Sequence, residues 1–462
     1  MHALARRCLA AAMAVLVALS VVERATPVAA ASRPPKFDYQ LHTLDNGLSI
    51  ILNEDHSTPI VHVSLWYHVG SKDEPRGRTG FAHLFEHMMF KGSKNVGPEQ
   101  HTSLVASIGG QSNATTNEDT TIFWNTVPSQ YLPMVLWMEA DRMATLRVDD
   151  ATFKQEREVV KEERRMRIDN QPYGRLQEIL YDKAFEVHPY KHPVIGSMAD
   201  LEAATVDNVR EFYETYYVPG NATLTIVGDF DSKQALELIT QYFGAIPKAA
   251  RPLERKIPVE PQKTRERRET VYEEWPLPAV IVAYHITYDG DPDSYPLHIV
   301  SKVLSDGQSS RIYRRLVYQD RLALAAFGQA NLIEHPNLFY AVAIVQPNAT
   351  PESTTKALIE EIERLKTEPI SARELQRAKN QFARDYIIGR ESIQQKATHL
   401  AHAYVLHNGD VTTADGEFDI FQGITTADVQ RVARRFFTPQ NRFVLTILPK
   451  AAAPGGSPER PR

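Results

Sequence analysis

The sequence predicts an α+β protein of two similar domains, each a mostly antiparallel sheet layered with helices. Three observations predict it. One stretch of the chain recurs at a single offset, a charged and proline-rich segment separates the copies, and strands and helices mix without the regular βαβ rhythm of a doubly wound sheet. A chain of 462 residues is also too long for one ordinary core.

The recurrence is internal duplication. Thr205 to Val209 leads through Tyr216-Tyr217-Val218-Pro219-Gly220-Asn221 into Leu224-Thr225-Ile226-Val227. At an offset of 220 the chain reads Thr425 to Val429, then Phe436-Phe437-Thr438-Pro439-Gln440-Asn441, then the strand Leu445-Thr446-Ile447. In each copy a Thr N-cap opens a helix, an aromatic pair closes it, and a Pro-x-Asn turn enters a β-branched strand. Domains are therefore expected at 32–250 and 268–450, joined by a linker over 251–267 with little apolar content. The tail 451–462, rich in Ala, Pro, Gly and charge, reads as disordered. In the first domain, strands are expected at Leu48–Leu52, Val61–Tyr67 and Thr121–Trp124, and helices over 130–145 and 152–167.

The N-terminus belongs to another class. Arg6 and Arg7 precede an apolar run from Leu9 to Val22, and small residues follow at Ala29, Ala30 and Ala31. That is the pattern of a secretory signal peptide over 1–31, with a signal anchor as the alternative, and the Arg pair is a weak hint of twin-arginine export. The expected destination is the periplasm, with no stable membrane span after cleavage. Cleavage would remove three arginines, one glutamate and Cys8, the only cysteine, leaving a mature chain near −7 from a full-length net charge of −5. The mature chain then has neither disulfides nor thiolate ligands, so any metal must rest on His, Asp or Glu. Nothing in this balance gives the concentrated basic face of a nucleic-acid binder.

The chemistry lies in Gly80-Phe81-Ala82-His83-Leu84-Phe85-Glu86-His87-Met88. On a helix, His83 and His87 project from one face, and neutral imidazoles so placed suit Zn²⁺. Glu86 can reach a water beside the metal without being a ligand. A catalytic zinc takes three protein ligands and keeps one open position, so a third must come from elsewhere. The helix Glu156-Arg157-Glu158-Val159-Val160-Lys161-Glu162-Glu163 offers it: Glu156 and Glu163 stand two turns apart on a face shared with Val159 and Val160. Acids on an apolar face are costly without a cation, and Glu163 as ligand with Glu156 supporting it answers that cost. The bland reading, a buried helix with satisfied histidines beside a solvated charge run, is weakened by the two features occurring together. His188 and His192, flanked by prolines in a loop, are not expected to be ligands.

This order of motifs resembles the pitrilysin (insulinase) family of zinc peptidases, whose metal motif is inverted. The resemblance covers nearly the whole mature chain. It includes Asp45-Asn46-Gly47-Leu48, the His83–His87 motif with Glu163 following 76 residues on, Asn113-Ala114-Thr115-Thr116, Glu156–Val160, and His188-Pro189-Tyr190 leading to Pro193-Val194-Ile195-Gly196. Size and layout are similar to the processing-peptidase branch, whose members pair two such chains around a chamber. The resemblance implies peptide hydrolysis with Glu86 as base, zinc on His83, His87 and Glu163, and short or unfolded peptides as substrates. It also places Asn113 and Ala114 on an edge strand where a substrate peptide adds. An ordinary turn before a core strand is the alternative there.

One departure bears on partners. The family's second domain carries an Arg and, seven residues on, a Tyr that together bind the substrate carbonyl; here those positions hold Val317 and Leu324. The second domain also lacks the metal set, with Ala383 standing 220 residues after Glu163. The expectation is a zinc-bearing subunit of a heterodimer whose metal-free relative supplies the Arg/Tyr pair. A self-sufficient homodimer, a non-enzymatic scaffold and a metal-carrying protein are the alternatives.

Overall fold

The computed structural model describes residues 33–249 and 251–450. The signal peptide and tail expected from the sequence lie outside the described residues. Eleven strands of the described chain form two sheets. β1 (Gln40–Thr43), β2 (Ser49–Glu54), β3 (Ile60–Tyr67), β4 (Gln111–Thr116), β5 (Thr121–Pro128) and β6 (Ala222–Gly228) assemble in the order β1-β2-β6-β3-β5-β4. β7 (Arg267–Glu273), β8 (Ala279–His285), β9 (Ala323–Ala330), β10 (Leu338–Val345) and β11 (Arg442–Pro449) assemble in the order β7-β11-β8-β10-β9. Without β1 the two orders coincide, β2-β6-β3-β5-β4 against β7-β11-β8-β10-β9. In each sheet one pair is parallel, β2 with β6 and β7 with β11, and the others are antiparallel. Two domains of one α+β design are thus present, and the strands foreseen from the alternating sequence are β2, β3 and the start of β5.

The duplication extends to single hydrogen bonds. Asn221 Nδ2 donates to the carbonyls of Tyr216 and His68, and Asn441 Nδ2 donates to those of Phe436 and His285. The Thr205 and Thr425 hydroxyls each cap a helix through the amide three residues on. The Pro-x-Asn turn thus recurs because its Asn ties the helix end to a strand end in both halves.

Four helices position the polar groups and join the halves: α1 (Phe81–Met88), α2 (Asp150–Arg164), α3 (Leu176–Ala184) and α4 (Ile393–Leu406). Each sheet is apolar on both faces. In β8, Val280, Val282 and Tyr284 face the helices of their own half, while Ala279, Ile281 and Ala283 face away. The latter face is covered by Leu176, Ile179, Leu180 and Tyr181 of α3, a helix of the other half. The converse holds for the first sheet: Ile51 and Val227 pack against Ile393, Ala397 and Leu400 of α4. α3 and α4 occupy corresponding places at the 220-residue offset, so the halves cover one another reciprocally.

A buried charge cluster joins the same halves. The Lys72 ammonium, wholly buried, lies 3.0 Å from Glu334, 3.3 Å from Asp73 and 3.6 Å from Asp119. Glu334 also meets His68 at 2.8 Å, and its amide donates to Asp119. An unpaired ammonium in this position would be prohibitively costly, so the three acids are needed together. The segment 251–266 carries no helix or strand but is tied down: the Glu260 carboxylate accepts the amides of Glu186, Val187 and His188. Among the described residues no helix is long and apolar enough to cross a membrane.

Glu334 carries a pH signature. Burial raises its pKa, but His68 and Lys72 outweigh that and hold it at about 2, below the ordinary 4.5. A carboxyl depressed on folding adds stability above its unfolded pKa, and this is lost as pH falls through the folded value. Glu334→Gln should therefore lower Tm at pH 7, by the equivalent of roughly 3 kcal/mol for a shift of this size. In thermal melts the deficit should shrink as the pH is taken from about 4.5 toward about 2. An equal deficit at both ends of that range would show that Glu334 contributes nothing through its charge.

Candidate metal centre

α1 is built to present one polar face. Phe81, Ala82, Leu84, Phe85 and Met88 are buried, and Phe85 stacks on Tyr213 at 5.5 Å between ring centroids. His83, Glu86 and His87 remain on the opposite face. The helix start is fixed by Glu74, whose carboxylate accepts the amides of Gly80 (2.9 Å) and Ala82 (2.8 Å), as an acid at a helix N-terminus should. Gly80 is required: its φ is +90°, and a Cβ there would lie 2.7 Å from the Ile195 carbonyl oxygen.

α2 brings the third group. Asp149 caps its start by accepting the Thr152 amide. Its last residue, Arg164, donates to the Gly196 carbonyl and to both oxygens of Glu178 on α3. Between these anchors, Glu163 Oε2 lies 3.2 Å from His87 Nε2 and 3.7 Å from His83 Nε2. Four ligands at 2.0–2.1 Å around a tetrahedral zinc stand about 3.3 Å apart, so the donor spacing fits such an ion. Among the described residues this is the group of His, Cys, Asp or Glu whose donor atoms already all lie within 4.8 Å of one another.

The surrounding side chains orient these donors. Glu163 Oε1 is paired with Arg167 at 2.6 Å, which leaves Oε2 for the ion. The buried Glu156 carboxylate faces His87 Nδ1 at 3.6 Å and Lys91 at 3.1 Å. The Thr116 hydroxyl donates to Glu86 Oε2 at 2.6 Å. Burial, then the neighbouring His87, push His83 down to about 4. His87 is pushed up to about 9, because Glu156 and Glu163 outweigh its own burial. Burial raises Glu86 despite the Thr116 bond, and its hydrogen bond with His87 lowers Glu163.

A cleft of ≈ 830 Å³ opens over these groups, with Asn113 and Ala114 of β4 along one wall. β4 is the free edge of its sheet. The Ala114 amide donates to Asn113 Oδ1 at 2.9 Å. Val159 departs from the expected buried face: it is 44% exposed and lines the cleft rim, while Val160 is fully buried. The site is accordingly open to solvent along that rim. His188 and His192 are not part of the group, His188 accepting the Tyr190 amide and His192 lying 3.7 Å from Glu74. Arg167 and Thr116 were not singled out from sequence. Arg167 had a signal, its i,i+4 spacing from Glu163. Thr116 had none, since its contact with Glu86 spans 30 residues. In the second half, Val317 packs on the core and Leu324 is exposed on β9, the matching free edge.

Residues 49–198 match the family model described as insulinase (peptidase family M16), and residues 203–382 match the peptidase M16 inactive domain. The zinc protease PqqE of Helicobacter pylori is 30% identical over 417 residues, covering 88% of this chain and 92% of that one. The crystal structure of a protease from Helicobacter pylori superposes with a TM-score of 0.83 at 30% identity, over 89% of this chain and all of the other. The first half of the periplasmic protease PqqL from Escherichia coli shares the fold, with a TM-score of 0.72 at 20% identity over 91% and 93% of the two chains.

The geometry predicts graded effects on metal uptake. His83→Ala and Glu163→Ala should each abolish binding of one equivalent of Co²⁺ at this site, followed by its visible absorption. Glu156→Gln should retain binding with affinity reduced about 10- to 100-fold, as for loss of a group that orients a ligand. Undiminished affinity in Glu163→Ala would exclude Glu163 as a ligand.

Proposed function

The chain belongs to the insulinase family of metallopeptidases, peptidase family M16, and from that premise we propose a zinc-dependent endopeptidase acting through His83, Glu86, His87 and Glu163. The observation that carries this reading is the approach of both imidazole Nε2 atoms to one Glu163 oxygen, beside a carboxylate that is not part of the set. Zinc held there would supply Lewis acidity, polarising the scissile carbonyl and acidifying a water.

The remaining steps fall to side chains of this chain. Thr116 holds Oε2 of Glu86, leaving Oε1 to accept the proton of the attacking water. Burial strengthens Glu86 as a base. The water oxygen bonds to the carbonyl carbon, and Glu86 passes the proton to the amide nitrogen as the C–N bond breaks. Arg167 offsets the second oxygen of Glu163. Asn113 and Ala114 offer the free edge of β4 to an extended peptide, whose backbone would continue the sheet across the cleft. Such a substrate must be short or unfolded, since a folded segment has no free edge to give.

Val317 and Leu324 put apolar side chains where the family resemblance expects the Arg/Tyr pair, and the neighbouring Tyr318 and Arg321 do not restore its spacing. This supports a heterodimer in which a related, metal-free chain provides an Arg/Tyr pair, with a homodimer as the other arrangement. The signal-peptide pattern of residues 1–31 supports export to the periplasm.

Glu86→Gln should keep the metal and lose peptide hydrolysis by 10³-fold or more, roughly the share of a general base with its coupled steps. Appreciable turnover in that variant would remove Glu86 from the mechanism. The chain purified alone should be weakly active and gain activity with its partner; full activity as a monomer would overturn the heterodimer.

A further inference from the structure

A second gathering of imidazoles and carboxylates lies at the C-terminal end of α4. His402 lies four residues before its end and His407 follows directly after it. The loop before Ser294–Leu304 brings Asp289, that helix brings His298, and Thr413–Gly423 brings Glu417. Asp289 Oδ2 faces His407 Nε2 at 3.3 Å and His402 Nε2 at 3.7 Å. The first centre has nearly the same pair of distances, 3.2 and 3.7 Å.

Proton accounting fixes one nitrogen of one ring. His407 Nδ1 lies 2.7 Å from the Thr413 hydroxyl, whose single proton is donated to the Asp410 carbonyl at 2.9 Å. Thr413 therefore accepts at Nδ1, which must carry the hydrogen. Nε2 faces Asp289 Oδ2 at hydrogen-bond distance, so it either carries a second proton donated to that carboxylate or gives its lone pair to a cation that takes the proton's place. A ligating histidine is commonly held this way, by a hydrogen bond from its other nitrogen. Gly290, at φ +83°, lets the loop approach; a Cβ there would stand 3.2 Å from His407 Nε2. Asp289 and His407 are nearly buried, while the His402 side chain is 44% exposed and opens the site to solvent.

We propose that Asp289, His402 and His407 form a second site for a divalent transition metal of the zinc class. The two rings stand 5.9 Å apart at 84°, against 4.9 Å and 75° in the first centre. The site therefore closes on binding, by rotation of the exposed His402 side chain. Imidazole and carboxylate donors suit zinc, cobalt or nickel rather than calcium or magnesium. The ion would tie the end of α4, the helix that covers the first sheet, to the loop leading into Ser294–Leu304.

The test is metal stoichiometry in the full chain, stripped with chelator and titrated with Co²⁺ and Zn²⁺. Wild type should take up two equivalents, and His402→Ala and Asp289→Asn one each, with peptide hydrolysis unchanged in His402→Ala. A His83→Ala/His87→Ala variant should keep one equivalent and show a higher Tm with metal than without. No uptake by that double variant, or two equivalents still bound by His402→Ala, would overturn the proposal. Wild type binding one equivalent and His402→Ala none would instead uphold this site and remove the first centre. His402 is the informative position because, half in solvent, its loss does not open the core.

Discussion

Neither sheet can stand alone, because each has two apolar faces and only one set of helices of its own. The face of β8 and β10 that carries Ile281, Ala283, Leu338 and Val342 is dry only because α3 of the other half lies on it. The face with Ile51 and Val227 depends in the same way on α4. Removing either cover would expose several large side chains, each worth roughly 1.5–3 kcal/mol of burial, against a typical net stability of only about 5–15 kcal/mol. The halves are therefore coupled in folding as well as in sequence. Duplication gave each half a helix that serves its neighbour, and the Lys72 cluster adds a charged lock to an otherwise apolar joint.

That coupling reaches the metal centre. Glu163 sits one residue before Arg164, and Arg164 is held by Glu178 of α3 and by the Gly196 carbonyl. α3 in turn rests on the second sheet. The position of one member of the candidate set is thus set partly by a domain that contributes no side chain to it. The two histidines are set differently: the buried side of α1, with Phe85 against Tyr213, turns them toward the cleft. Three candidate donors on two independently braced helices stand at the spacing an ion would demand. Its open side faces the free edge of β4, where a peptide has backbone partners to meet.

The range of each interaction decides how much of it was legible in the sequence. The histidine pair and Glu86 lie within one helical turn or so, and the duplication repeats its residues in order, so both were visible in the bare chain. Glu163 was reachable because helical spacing placed two acids where an apolar face made them costly. Thr116 as partner of Glu86, Glu74 as the cap of α1, and the reciprocal cover of α3 and α4 join residues that local pattern cannot connect. Val159 misled for a related reason: a helical face adjoining a cleft is apolar without being core. Asp289 is the extreme case, since its histidines follow more than a hundred residues later and belong to no recurring motif.

The second half shows what the fold requires apart from the chemistry. Its Ser294–Leu304 helix is buried along most of its length, with Leu297, Val300 and Val303 in the core, and Ala383 is buried 220 residues on from Glu163. Asn441 nonetheless repeats the bonds of Asn221. The frame therefore closes its core without a metal at the place that corresponds to the first centre, unlike small domains that fold only around their ion. It follows that the acids facing His83 and His87 are not there to hold the fold together. Glu156 and Glu163 bear a burial cost that the second half avoids, and a cost retained in one copy of a duplicated frame and shed in the other is accounted for by what that copy binds.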